Sequence, residues 1–210
     1  MASALFLVFG YIVGAIPWGV ILGRWRSGTD LRDHGSGATG TTNAYRILGW
    51  RISVAVLALD YLKGLVPVLV AIVAGAGDWT IALVGVCTVL GHCWSPFIRL
   101  KGGKGVATGA GAATAIAPWA LLVLPVMLVI VAIWRYVSLA SLVGSLLAAA
   151  GLIVAASLGW LPWPFALAVS FIVGVIVLRH QENIARLRAG SERKIVRKPG
   201  RPSAAQPPIT

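Results

Sequence analysis

The chain has 210 residues, of which 58% are hydrophobic and 11% charged, and its mean hydropathy is +0.87. A soluble domain of this size must meet water with its outer residues, so this composition excludes one and indicates a polytopic membrane protein. The formal net charge of +12 would suggest a nucleic-acid binder in a soluble protein, but positive loops on the cytoplasmic side of a membrane account for it, and no nucleic-acid partner is expected.

Seven apolar segments follow in chain order, at about residues 3–23, 52–74, 79–98, 105–117, 119–134, 139–157 and 163–180. The first has no positive n-region and is too long for a cleaved signal peptide, so it is expected to remain as a span. The fourth, GVATGAGAATAIA, falls short of the ~20 residues of a comfortable crossing. Six spans with a re-entrant hairpin is therefore the competing count. Pro118 and Pro162-Trp163-Pro164 mark two of the breaks. Trp18, Trp25, Trp50, Trp79, Trp94, Trp119, Trp160 and Trp163 cluster near span ends as an aromatic belt. Cys87 and Cys93 lie in one apolar segment and read as free thiols.

The basic residues orient the chain. With the N-terminus outside, the inner loops collect seventeen of the 18 Lys and Arg residues; the remaining one, Lys63, lies within the second span. The outer loops then carry only Asp78. The fold class expected is an all-α membrane protein of seven transmembrane helices, N-terminus outside and C-terminus cytoplasmic. Residues 1–192 form its membrane domain. Residues 193–210 read as a basic, Pro-rich, disordered tail with anionic headgroups as its only expected partner.

The polar segments all fall on the cytoplasmic side: DHGSGATGTTNAYR (33–46), GHCWSPFIRLKGGKGVATG (91–109), RYVSLAS (135–141) and RHQENIARLRAGSE (179–192). Gly35-Ser36-Gly37-Ala38-Thr39-Gly40 fits G-x-G-x-x-G, but an apolar helix-length segment precedes it where a dinucleotide site needs a strand. Gly102-Gly103-Lys104-Gly105 is not a Walker A loop, because Gly105 stands where Ser or Thr is required. Both loops instead suit anions. Glycines allow the backbone to turn successive N–H groups toward one point. The candidates are Gly35, Gly37 and Gly40, with Ser36, Thr39, Thr41, Thr42 and Asn43 as side-chain donors and Arg46 as cation, and then Gly102, Gly103, Lys104 and Gly105. The alternative is that the glycines only make tight turns at the membrane surface. His180 and Asn183 are spaced to share a helix face. Arg179 reads as readily as a positive-inside anchor. Asp60 and Lys63, inside the second span, form either an internal ion pair or a substrate contact. No metal-ligand cluster is present.

Taken together, GSGATGTTN with Arg46, LDYLKG (59–64), GHCWSPFIRLKGGKGVATG, RYVSLAS and RHQENIARLRAGSE resemble, in matching order from about Gly14 to Glu192, the motifs of the bacterial acyl-phosphate:glycerol-3-phosphate acyltransferases, the PlsY family. The resemblance implies a multi-pass enzyme of the cell's inner membrane with its active site facing the cytoplasm. It implies transfer of an acyl chain from acyl phosphate to the 1-hydroxyl of glycerol-3-phosphate, giving lysophosphatidate and inorganic phosphate, the first acylation of phospholipid synthesis, with no cofactor. Acyl phosphate, glycerol-3-phosphate and membrane lipid are the partners it implies, and it allows a peripheral acyl-phosphate-producing enzyme. By position, Ser36 and Arg46 are carried over around the phosphate groups and Gly102, Gly103, Lys104 and Gly105 as a glycerol-3-phosphate loop. Ser141 lines the same pocket, His180 and Asn183 stand near the reacting groups, and Glu192 is structural. Ala38, Thr41 and Cys93 depart from the family's usual Asn, Ala and Asn.

The chemistry asks for little more. Acyl phosphate is already activated, so the site needs cations for phosphate, donors for the oxyanion, and a base for the hydroxyl proton. His180 and the substrate's own phosphate are both candidates for that base. Rival chemistries lack their residues: no His has Asp five positions later, and the second span has only Asp60 where a metal-dependent phosphotransferase needs several aspartates. An organic-phosphate transporter is the non-enzyme alternative; it would favour interrupted midplane helices and an internal repeat, and no repeat is visible.

Overall fold

The computed structural model describes residues 2–195, and every regular element among them is helical. In chain order they are α1 (Ala2–Ala15), α2 (Trp18–Ser27), a 3-10 turn (Leu31–Asp33), α3 (Thr41–Leu48), α4 (Trp50–Val73), α5 (Asp78–Cys93), a 3-10 turn (Pro96–Ile98), α6 (Val106–Ile116), a 3-10 stretch (Pro118–Val123), α7 (Leu124–Trp134), α8 (Val137–Ser157), α9 (Trp163–Arg179) and α10 (Gln181–Arg188). With no water in a bilayer to satisfy backbone groups, helices are the form such apolar segments can take. Their outward side chains, such as Val73, Leu122 and Leu128, are large and apolar, as a lipid-facing surface requires.

All seven apolar segments are helical. Ala2–Ser27, Trp50–Val73, Asp78–Ile98 and Val137–Ser157 are each long and apolar enough to cross a membrane. Trp163–Arg179 makes a fifth when taken with Gln181–Arg188, to which it is joined by a 60° bend. Val106–Ile116 and Pro118–Trp134 are shorter. The 11 residues of α6 rise about 16 Å, against a hydrocarbon core of about 30 Å.

Small residues bring the helices together. A Cβ on Gly64 of α4 would overlap the Thr108 backbone of α6, and one on Gly111 of α6 would overlap the Tyr61 carbonyl of α4. Gly14 of α1 and Gly91 of α5 meet the backbones of Thr88 and Tyr11 in the same way. In lipid, where apolar side chains gain little from leaving the solvent, such close van der Waals approach drives helix association. This explains the composition of the short segment 106–116, which packs by proximity rather than by bulk. α5, α9 and α8 complete the core through Val89, Ile172 and Ile176 on one side and Leu152, Ala166 and Val169 on the other.

The first span is interrupted. Pro17 cannot continue the helix, and the chain breaks at Ile16–Pro17 between α1 and α2. The carbonyls at the break accept from other elements: Ser95 Oγ donates to Ala15 O at 2.6 Å and Lys63 Nζ to Ile16 O at 2.8 Å. The polar segments meet at one end of the bundle. Arg32 Nη1 donates to Ile98 O (3.3 Å), Arg179 reaches the 102–103 loop, and the turn at Arg135 hydrogen-bonds Ile195. Residues 196–210, most of the segment read as a tail, lie outside the described residues.

Candidate active site

The first glycine loop is organised around one amide. Asn43, on the first turn of α3, is 2% exposed and sends Nδ2 to the carbonyls of Leu31 (2.9 Å), His34 (3.0 Å) and Ala38 (3.0 Å), while its Oδ1 accepts the Ser36 N–H at 3.0 Å. Gly35 and Gly37 have φ of 66° and 68°, and a Cβ on Gly35 would overlap Asn43 Oδ1. These glycines therefore serve the fold of the loop. Asn43, expected as a donor to ligand, differs from that expectation: its side chain is engaged in shaping residues 31–38. Ala38 contributes only its carbonyl there, so the residue type at 38 is not needed for that contact. Gly40 caps α3, Thr41 and Thr42 follow in its first turn, and Ser36 is exposed.

The second loop is held from beneath and from the side. Gly102 N–H donates to Cys93 O (3.2 Å) and Gly103 N–H to His92 O (3.1 Å). Arg179 Nε donates to Gly103 O at 3.1 Å and its Nη2 to Gly102 O at 3.2 Å, with the guanidinium stacked 5.6 Å from the Trp94 ring. Gly102 and Gly103, expected to face phosphate with their N–H groups, pair them here with the end of α5. What they supply is closeness, since a Cβ on Gly103 would overlap the His92 ring and one on Gly102 the His92 carbonyl. Gly105, at φ 85°, turns the chain into α6 beside Cys93 Sγ. Lys104 is the projecting group.

Lys104 Nζ donates to Asn183 Oδ1. Asn183 Nδ2 in turn donates to Glu192 Oε1 at 2.6 Å, and the same carboxylate accepts Ser138 Oγ (2.8 Å) and Arg186 Nε (2.8 Å). The carboxylate fixes which way the amide points, and so presents its oxygen to the lysine. Hydrogen bonds from Arg186, Asn183 and Ser138 outweigh the burial that would raise the Glu192 carboxyl, and its pKa is held below the usual value. Burial pushes the Lys104 ammonium down to about 8, with Glu192 acting in the opposite direction and Arg186 and Arg46 adding to the fall. Burial also lowers the Arg46 guanidinium, as do Arg193 and Arg186, while Glu192 opposes them. An arginine nonetheless stays charged. Arg46, Lys104 and Arg186 are thus mutually felt cations at one place, with the Glu192 carboxylate already hydrogen-bonded.

His180 sits at the break between α9 and α10 rather than on one continuous helix with Asn183. It is 3% exposed, and its Nδ1 lies 2.8 Å from Ile176 O. A carbonyl can only accept, so Nδ1 carries the proton and Nε2 keeps its lone pair. Ser141 is buried one turn beyond Ser138 on α8.

Beneath the second loop lies an ionic cluster in the middle of α4. Asp60 and Lys63 pair at 2.8 Å with both side chains 3% exposed. His92 Nδ1 is 3.6 Å from Asp60 Oδ1 and has no hydrogen-bond partner among the described residues. Sequence reasoning missed His92, Arg179, Ser138 and Arg186. Arg179 had a spectator reading as a topology anchor, and nothing in spacing distinguishes Ser138 from Ser141. Among the described residues no group of three or more His, Cys, Asp or Glu could hold a metal.

An all-helical chain with several spans long and apolar enough to cross a membrane, and with arginine, lysine and histidine side chains gathered at one end of the bundle, is a helical integral membrane protein. The chain belongs to the glycerol-3-phosphate acyltransferase family, whose profile matches residues 4–190. A glycerol-3-phosphate acyltransferase of Rubrobacter xylanophilus is 41% identical over 197 residues, covering 92% of this chain and 96% of that protein. One from Geobacter sulfurreducens is 45% identical over 186 residues, covering 88% and 93%. The crystal structure of PlsY, an integral membrane glycerol 3-phosphate acyltransferase, in its glycerol 3-phosphate form superimposes with a TM-score of 0.87 at 38% identity, over 93% of this chain and 96% of that one. Its lysophosphatidic acid form gives 0.85 at 37%.

Proposed function

We propose that this chain transfers an acyl chain from acyl phosphate to the 1-hydroxyl of glycerol-3-phosphate, releasing lysophosphatidate and inorganic phosphate, the entry step of phospholipid synthesis. The observation that carries this reading is that Lys104 and Arg186 hydrogen-bond the Asn183–Glu192 pair, with Arg46 near enough to feel their charges, beside the His180 side chain. In the same reading the seven apolar segments all cross the cell's inner membrane, N-terminus outside, with the site at the cytoplasmic face, where a peripheral acyl-phosphate-producing enzyme could deliver its product. The acyl chain then stays among the spans while its phosphate reaches the cations.

In the reaction the glycerol oxygen attacks the acyl carbonyl carbon, the bond from that carbon to the phosphate oxygen breaks, and the hydroxyl proton leaves with the departing phosphate or through His180. His180 has its proton fixed on Nδ1 by the Ile176 carbonyl, which leaves Nε2 as the nitrogen free to meet substrate. Its Nε2 is suited to accept a hydrogen bond from the hydroxyl and orient it, while the substrate's phosphate takes the proton. His180→Ala is accordingly expected to lower kcat by less than the ~10²–10⁴ typical of losing a general base. A steady-state kcat reduced by the upper end of that range would restore histidine as the base.

Loop closeness gives a second expectation. Gly103→Ala pushes against the His92 ring, shifts Lys104, and is expected to lower kcat/KM for glycerol-3-phosphate roughly ten- to a hundredfold, the scale of an ångström-size misplacement. Wild-type kinetics would show that the loop yields without moving the lysine.

The defining experiment is phosphate release by purified protein in detergent, given palmitoyl phosphate with and without glycerol-3-phosphate. Release that requires both, with lysophosphatidate formed, supports the assignment. Absence of release from folded protein would overturn it, and transport of an organic phosphate would become the better reading.

A further inference from the structure

The family profile ends at residue 190, yet the next residues are tied down one after another. Ser191 N–H donates to Arg186 O at 2.9 Å. Glu192 carries the three side-chain bonds described above. The Arg193 carbonyl accepts Arg46 Nη2 at 3.2 Å. Lys194 Nζ stands 5.5 Å from the Tyr136 ring. Ile195 N–H donates to Arg135 O at 2.8 Å, and Ile195 O accepts Arg135 Nε (3.2 Å) and Nη2 (3.0 Å). Arg135 itself is a non-glycine residue at φ 63° between α7 and α8. A side chain in that region is disfavoured, and here the left-handed turn offers both a carbonyl and a guanidinium to one residue of the C-terminal segment.

We propose that residues 193–195 form a strap that positions Arg46, with Arg135 as its anchor. The strap is fixed at one end by the Glu192 carboxylate and at the other by Arg135, so the Arg193 carbonyl between them is held in place. That carbonyl takes one guanidinium nitrogen of Arg46 and leaves the rest of the fork for an anion. A long, rotamer-rich side chain on the short helix α3 is thereby ordered before substrate arrives, which lowers the entropy cost of binding. The inference rests on the reading of Arg46 as a phosphate-holding cation and adds the segment that aims it.

The test uses the full-length enzyme in detergent, with palmitoyl phosphate and glycerol-3-phosphate varied in turn. Ile195→Pro removes the N–H that bonds Arg135, and also fixes φ at 195 and restricts the backbone of Lys194, whereas Arg135→Ala removes the side-chain donors. Each is expected to raise KM roughly two- to tenfold, the worth of one exposed hydrogen bond, for whichever substrate Arg46→Ala impairs more, with kcat within about twofold. Arg135→Lys should recover part of the loss. In the Arg46→Ala background both substitutions should be silent, because the side chain they position is gone. Unchanged KM in Ile195→Pro and Arg135→Ala overturns the strap, as does an equal effect with and without Arg46. If Arg46→Ala alone leaves both KM values unchanged, the phosphate role of Arg46 fails instead, whatever the strap variants do. Should Ile195→Pro not fold, Arg135→Ala, at an exposed side chain, decides the question by the same criteria.

Discussion

Replacing Lys104 by alanine is expected to lower kcat/KM for glycerol-3-phosphate roughly ten- to a hundredfold, the worth of one charge-assisted hydrogen bond to a bound phosphate, while the thermal transition in detergent stays close to wild type. The lysine is partly buried and, among the described residues, its one side-chain hydrogen-bond partner is neutral Asn183, so removing it strands no opposite charge there. Asn183 keeps its bond to Glu192. The loss should appear mainly in KM, and unchanged kinetics would remove the loop from the site. A pH profile gives an independent check. Burial lowers the ammonium to about 8, so it is charged below that pH and loses its proton above it. kcat/KM in the wild type should fall as pH rises through about 8. Lys104→Arg, which stays charged, should move that limb upward, and a limb that does not move would assign it to another group.

Asp60→Asn is expected to destabilise the protein by about 3–5 kcal/mol, the usual result of leaving one partner of a buried pair uncompensated. Lys63 would keep the Ile16 carbonyl but lose its carboxylate in the middle of α4, where almost nothing reaches solvent. For a chain of this size that corresponds to a fall of about 6–20 °C in the detergent unfolding midpoint. Asp60→Asn combined with Lys63→Met should recover much of it, because neither charge then remains buried alone. A single substitution that leaves the midpoint intact and abolishes activity would favour the other reading of this pair, direct contact with substrate.

The two expectations concern opposite sides of the same loop. Lys104 faces the site, whereas His92, against Gly103, connects the loop to Asp60. The break at Pro17 completes the arrangement, since Lys63 and Ser95 satisfy the carbonyls there. A polar cluster deep in an apolar bundle thus supports a loop at its surface, and the glycines allow the two to approach.

Much of this was legible in order along the chain. Continuous apolar stretches can only be helices in a bilayer, and the seven segments appear as helices near their expected limits. The small-residue stretch at 106–116 announced close packing by composition. The Gly-Lys-Gly and His-x-x-Asn patterns marked polar residues that an apolar context makes costly, hence noticeable. The partners of those residues were not legible. Asn43 has donors suited to a ligand, yet its amide goes to three carbonyls of its own loop. Gly102 and Gly103 look like anion donors, yet their N–H groups return to α5. Arg179 looks like a topology anchor, yet it holds that loop.

The sequence by itself determined the class of protein, the helical segments, the family and the short list of polar residues, because hydropathy and local motif spacing are properties of neighbours along the chain. Only the tertiary structure decided that Lys104 meets Asn183, that Glu192 orients both Asn183 and Ser138, that His92 underlies Gly103, and that residues 193–195 reach Arg46 and Arg135. Lys104–Asn183 and Ser138–Glu192 are far apart in sequence, and even Asn183–Glu192 and His92–Gly103 are joined only through the fold. A donor's choice among several acceptors is set by the packing that brings one of them within hydrogen-bond reach, and no one-dimensional pattern records that distance.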